Sequence, residues 1–158
     1  MFLKENLSIF QLKQSVYELI ERETFEEAEK VLNQVLMNHP LDEEICKLKG
    51  RLAIEFEKYD EALLYLAKCL EFNFENARAI FLRGIVKLRQ DNEKMAMEDF
   101  HTALKYDPEH VDALVNIGLI HMDHKEIKEA GGYLNKALKL SPNSKEVLLL
   151  KEEVKKYF

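Results

Sequence analysis

Residues 101–110 read HTALKYDPEH and residues 135–144 read NKALKLSPNS. Superposed, the two share Ala-Leu-Lys, an apolar residue, a short polar residue and Pro, 34 residues apart. The same interval recurs along the chain. Gly50, Gly84 and Gly118 follow it, as do Ala28, Ala62, Ala96 and Ala130, and Leu36, Leu70, Leu104 and Leu138. Leu32, Leu66, Phe100 and Leu134 form a further large apolar series. Pro40, Pro108 and Pro142 keep one phase, with Phe74 standing where a fourth Pro would fall. Series that align in a single frame mark an internal repeat.

The frame divides residues 1–158 into one domain of four units, 9–42, 43–76, 77–110 and 111–144, followed by 145–158. Each unit carries two helical stripes. In the last, Leu114, Ile117, Gly118 and His121 recur at three- and four-residue steps, and Ile127, Ala130, Leu134, Ala137 and Leu138 make a second stripe. The polar run Asp123-His124-Lys125-Glu126 separates them. Each unit closes near its Pro, which pushes the preceding residue out of helical conformation. Small residues let paired helices approach closely. Gly84 in mid-helix costs about 1 kcal/mol relative to Ala, which close packing would offset. Thr24 followed by Glu27 predicts a capping box at the first unit's second helix. The segment KEVLLLK reads as a final amphipathic helix with Val147, Leu150, Val154 and Tyr157 on its apolar face. It is expected to cap the stack, or else to open an interrupted fifth unit. Residues 1–8 read as a lead-in or as part of the first helix.

Composition narrows the function classes. The chain has 158 residues and a net charge of −6, with the acidic excess in its first half and no basic cluster. Nucleic acid is therefore not an expected partner, because phosphate neutralisation needs a dense Lys/Arg patch. The sequence has no 18-residue apolar run and no recognisable leader, so membrane insertion is not expected and the cytoplasm is the default location. Cys46 and Cys69 lack Cys-x-x-Cys spacing and read as buried thiols. No glycine-rich phosphate loop, HExxH motif or Ser/His/acid signature occurs, so neither catalysis nor a cofactor is expected. His121 and His124 share a helix face with Asp123 nearby, but the frame assigns the first to packing and the second to the turn, so no metal is expected. Gly131-Gly132 inside the last second helix reads as tolerated local weakness, close contact with the final helix, or a hinge.

The 34-residue pattern resembles the tetratricopeptide repeat (TPR). The likeness is carried by Gly50, Gly84 and Gly118, the Ala28 series, the Leu32 series, Ala103 with Ala137, and the prolines. Val16 replaces the first unit's Gly, and Leu12, Cys46, Ile80 and Leu114 stand in place of the family's Trp. The resemblance implies an all-α, right-handed superhelix of four helix–turn–helix repeats and a capping helix. It also implies a concave face, lined by the first helix of each unit, that binds peptide or protein segments.

Laid on that frame, the candidate groove comprises Lys13 and Tyr17, then Lys47, Leu48 and Arg51, then Arg78, Phe81, Leu82, Ile85 and Arg89, and finally Val115, Asn116 and Leu119. Its centre, Leu48, Phe81, Leu82, Ile85, Val115 and Leu119, is expected to be apolar and ringed by Arg51, Arg78 and Arg89. An apolar or amphipathic segment with acidic groups would suit it. On this reading Phe81→Glu abolishes partner binding without unfolding the chain. Self-assembly into a homodimer, through the groove centre or the final helix, is the alternative. Some relatives in the family grip a chaperone's C-terminal carboxylate with Lys, Asn and Arg. Here those positions hold Lys13, Tyr17, Leu48, Arg78 and Leu82, or one unit later Lys47, Arg51, Leu82, Asp112 and Asn116, so that clamp is not expected.

Overall fold

The computed structural model describes residues 8–39 and 41–156, the Glu146 side chain excepted. Among these residues there are nine helices and no strand. They are α1 (Ile9–Glu21), α2 (Phe25–Asn38), α3 (Glu43–Glu55), α4 (Tyr59–Phe72), α5 (Ala77–Arg89), α6 (Glu93–Tyr106), α7 (Val111–Asp123), α8 (Ile127–Leu140) and α9 (Lys145–Lys155). The helix starts Ile9, Glu43, Ala77, Val111 and Lys145 are each 34 residues apart, and so are Phe25, Tyr59, Glu93 and Ile127. Helix α9 therefore starts in phase with the first helices. Pro40, the lead-in 1–7 and Tyr157, which carried expectations above, lie outside the described residues.

The period has a local cause at each helix start. Ser8, Asp42, Asn76, His110 and Ser144 occupy one phase, and each accepts the N–H three residues on with its side chain. Ser8 and Gln11 form a full capping box. The box expected at Thr24 is absent. The Thr24 hydroxyl donates to the Leu19 carbonyl at 3.0 Å instead, and its N–H bonds the same carbonyl at 2.9 Å. The turn that closes α1 has claimed the residue before α2 could use it.

That turn recurs. Glu23, Glu57, Asp91 and Lys125 have φ of 58°, 56°, 59° and 60°, and all four are exposed. After α7, Lys125 N–H bonds the Met122 carbonyl and Glu126 N–H bonds the His121 carbonyl, the Schellman arrangement that closes a helix on a left-handed residue.

Within each inner unit the repeated Gly is a point of close approach. A Cβ on Gly50 would lie 2.7 Å from Leu66, on Gly84 2.6 Å from Phe100, and on Gly118 2.9 Å from Leu134. The Leu and Phe series thus rests on the Gly series, and Leu66, Phe100 and Leu134 are fully buried. In the first unit Val16 takes the place of Gly and is buried. In α9 that phase belongs to Glu152, which is exposed and paired with Lys155 at 2.5 Å. A charged face where the inner units bury a second helix is what a terminal helix needs. Val147 and Val154 turn inward against α8 and the end of the stack. Cys46 and Cys69 are buried free thiols, and burial pushes the Cys69 thiol up to about 12.

Candidate functional site

The first helices α1, α3, α5 and α7 stand side by side, so side chains 27 to 34 residues apart meet across units. Lys13 of α1 pairs with Asp42, the residue that caps α3. The Tyr17 hydroxyl donates to Glu44 of α3, and Lys47 meets the same carboxylate at 2.8 Å. Arg51 of α3 reaches back to Glu21 at 3.3 Å. Farther along, Arg78 of α5 pairs with Asp112 of α7. The wall is thus cross-linked by polar contacts through residues that the sequence placed in the groove. Asn116 departs from this pattern, its amide donating to the Asp112 carbonyl of its own helix at 2.8 Å.

These contacts tune one another. Burial alone would raise the Glu44 carboxyl, but hydrogen bonds from Lys47 and Tyr17 outweigh it and hold the group below its ordinary value. Burial likewise opposes the charge on Lys47, and the Glu44 carboxylate restores it and raises the ammonium above its usual range. Burial and the adjacent Glu44 carboxylate together push the Tyr17 hydroxyl up. Asp42 behaves as Glu44 does, with burial outweighed by Lys13 and the Ile45 N–H.

The apolar centre differs from expectation. Leu48, Phe81, Leu82 and Val115 are only 1%, 5%, 6% and 5% exposed. An inner first helix is enclosed by its own second helix, the preceding second helix and the neighbouring first helices, so these side chains belong to the core. Ile85 and Leu119 remain half-buried and reachable, and Arg89 is exposed at the end of α5. Phe81 packs on Phe100 at 5.5 Å and on the His110 ring at 4.8 Å, with the Arg78 guanidinium 5.3 Å from its own ring. A charge at Phe81 would be buried in that stack, so Phe81→Glu unfolds the third unit instead of cleanly testing a surface.

His110 went unnoticed in the sequence, although the capping phase Ser8, Asp42, Asn76, His110, Ser144 could have found it. Its Nδ1 accepts the Ala113 N–H at 3.3 Å, which requires the neutral ring. Burial, reinforced by Arg78, holds it below its ordinary 6.5. The buried Asp99 was missed too. It accepts from Arg83 at 2.9 and 2.6 Å and from Lys87 at 2.7 Å, which ties α5 to α6. His121 and His124 part company. His121 stacks on Tyr133 at 5.5 Å and meets Glu126 at 2.5 Å, whereas His124 meets Glu93 of α6 at 2.6 Å.

At the clamp positions, Leu48 and Leu82 are buried, Lys13 is held by Asp42 and Arg78 by Asp112. Among the described residues no helix is long and apolar enough to cross a membrane.

Comparison with known proteins agrees with this architecture. Two family models described as tetratricopeptide repeat match residues 44–76 and 81–145. The chain is 24% identical over 134 residues to the DnaJ homolog subfamily C member 7 homolog of Dictyostelium discoideum, covering 83% of this chain and 25% of that protein. It spans about a quarter or less of the curated relatives it matches first. Among solved structures, Pseudomonas aeruginosa pilF superposes with a TM-score of 0.76 at 21% identity, covering 92% of this chain and 67% of that one. The first TPR of Spaghetti (RPAP3) bound to the HSP90 peptide SRMEEVD superposes with a TM-score of 0.67 at 21% identity, covering 73% and 94%. At such identities the likeness is one of fold, an all-helical repeat superhelix. Helix pairs that restart every 34 residues, each closed on a Gly or Ala crossing, and the two family matches laid over them make this chain a member of the tetratricopeptide repeat family.

Proposed function

We propose that the chain is a protein-interaction module whose wall of first helices receives an extended segment of another protein, and that it works by binding rather than by catalysis. We read it as one domain, with units 9–42, 43–76, 77–110 and 111–144 and α9 as cap. The observation that carries this reading is the set of cross-unit contacts Tyr17–Glu44, Arg51–Glu21 and Arg78–Asp112. Successive first helices thus meet through side chains 27 to 34 residues apart, and the wall offers an ordered row of donors and acceptors. An extended ligand can exchange with these at little cost in rearrangement. The peptide-bound neighbour in the same fold supports it.

The burial of Leu48, Phe81, Leu82 and Val115 refines the partner's character. Its apolar side chains have Ile85 and Leu119 to rest on, and its acidic groups have Lys47, Arg51 and Arg89 to meet. Leu48 and Leu82 cannot hydrogen-bond a carboxylate, which argues against a chaperone-tail clamp. The test is selection of random displayed peptides on the wild-type chain, followed by binding to Ile85→Glu and to Arg51→Glu/Arg89→Glu. Selected peptides should be rich in acidic and apolar residues and should lose affinity about tenfold or more for both variants. Equal binding to both sinks the wall as the site.

A second reading, self-association, draws on Leu148 and Leu149 of α9, which are 41% and 71% exposed. Sedimentation across concentration tests it: a dimer lost in Leu149→Glu supports it, and a monomer throughout removes it. Phe81, enclosed in its own core, no longer recommends a dimer through the groove centre.

A further inference from the structure

Between α8 and α9 lies a cleft of about 340 Å³, away from the wall of first helices. Its lining is mostly apolar, and Leu134 and Val154 lie buried behind it. Lys128 on α8 and Lys151 and Lys155 on α9 line its sides. Lys155 meets Glu152 at 2.5 Å, and among the described residues neither Lys128 nor Lys151 has a carboxylate partner.

The repeat explains why the space exists. Gly131 stands at the phase of Glu29, Leu63 and Met97. Leu63 and Met97 are half-buried and pack against the core. Gly131 leaves the volume of such a side chain open, since a Cβ there would touch nothing nearer than Val154 at 3.5 Å. A Cβ on Gly132, beside it, would meet nothing within 4 Å. Neither glycine therefore serves close helix packing, and both keep side chains out of the cleft. The lysines are placed by the same register. Lys49 of α3 and Asn33 of α2 bond at 2.7 Å across the first seam. Lys151 and Asn135 hold the same two phases across the last seam and both line the cleft.

We infer that this cleft binds a small phosphate monoester whose apolar group is about the size of one ring. The volume falls within the range of small-ligand sites. Three lysines lining an apolar cleft, two of them without a carboxylate partner among the described residues, favour an anion that brings its own hydrophobic body. Lysines acting as point charges suit a tetrahedral dianion, whereas planar carboxylates favour the guanidinium fork that the cleft lacks.

Phenyl phosphate is the probe, titrated into the ¹⁵N-labelled chain, with inorganic phosphate and phenol as separate arms. Saturable shifts confined to the amides of residues 128–135 and 151–155 are expected for phenyl phosphate. Inorganic phosphate should bind about tenfold or more weakly and phenol not measurably. Gly131→Met, which restores the residue found one unit earlier, should close the cleft and remove the shifts while raising helix propensity. Lys151→Glu should weaken binding about tenfold or more. Lys94→Glu, at the phase of Lys128 one unit earlier, should leave binding unchanged. Shifts that do not saturate, that spread over surface lysines, or that survive both Gly131→Met and Lys151→Glu overturn the inference. Inorganic phosphate binding as tightly as phenyl phosphate overturns its apolar half.

Discussion

Gly84 and Gly132 are both glycines inside a helix, and the molecule uses them in opposite ways. At Gly84 the ring of Phe100 occupies the place of the missing side chain, and the buried Asp99 with its two cations locks the same pair of helices. At Gly132 nothing fills the place. A mid-helix glycine therefore signals close packing only where a large neighbour at the matching phase leans on it. Where it does not, the glycine makes room.

Substitutions can break or sharpen this contrast. The largest effect is expected for Phe100→Ala. It removes the fully buried ring that Gly84 exists to receive, and should cost about 3–5 kcal/mol in urea unfolding. A loss below about 1 kcal/mol would mean that Gly84 and Phe100 are not the anchor of the third unit.

Next come two alanines of opposite sign. Gly84→Ala drives a methyl into Phe100 and should destabilise, because overpacking by about 1–3 kcal/mol outweighs the helix-propensity gain of about 1 kcal/mol. Gly132→Ala meets no neighbour and should stabilise by up to about 1 kcal/mol. Thermal unfolding of the two proteins side by side gives the signs, and a shared sign would erase the distinction.

The smallest effect is a pH dependence. The His110 ring caps α7 through a lone pair on Nδ1, and Phe81 of α5 packs against it. Arg78 of α5, Asp107 of the preceding loop and Asp112 of α7 are the charged groups that bear on it. Its folded value lies below the unfolded 6.5, so the unfolded chain binds the proton more readily. The cap's contribution is complete above 6.5 and is lost as pH falls from there toward the depressed folded value. His110→Asn, which copies the cap at Asn76, should flatten wild-type stability in that window. An unchanged slope would show that His110 does not titrate on unfolding.

Much of this architecture could be read before any coordinates. The 34-residue series located the helix pairs because Gly, Ala and Leu at fixed phases are demanded by helix crossing, a strictly local geometry. The wall was legible in its position and less so in its chemistry. Lys13, Tyr17, Arg51 and Arg78 do reach neighbouring units, but the sequence did not reveal that Asp42, Glu44, Glu21 and Asp112 satisfy them. Such pairs form across 27 to 34 residues and depend on how far each helix advances past the last. Leu48, Phe81, Leu82 and Val115 were misjudged for a related reason. A helix enclosed on several sides buries more than one stripe, and periodicity identifies a stripe without counting its neighbours. Thr24 shows the limit at the smallest scale, where one hydroxyl chose between two backbone partners of similar merit.

The exposed left-handed residues Glu23, Glu57, Asp91 and Lys125 have a consequence of their own. For a residue with a side chain this conformation costs roughly 1 kcal/mol that glycine would not incur. None of the four is a candidate groove residue or lines the cleft, so glycine at these corners should add robustness without altering recognition. The protein can therefore tolerate costly experimentation on its binding faces, since the margin lost there is recoverable at four sites on its rim.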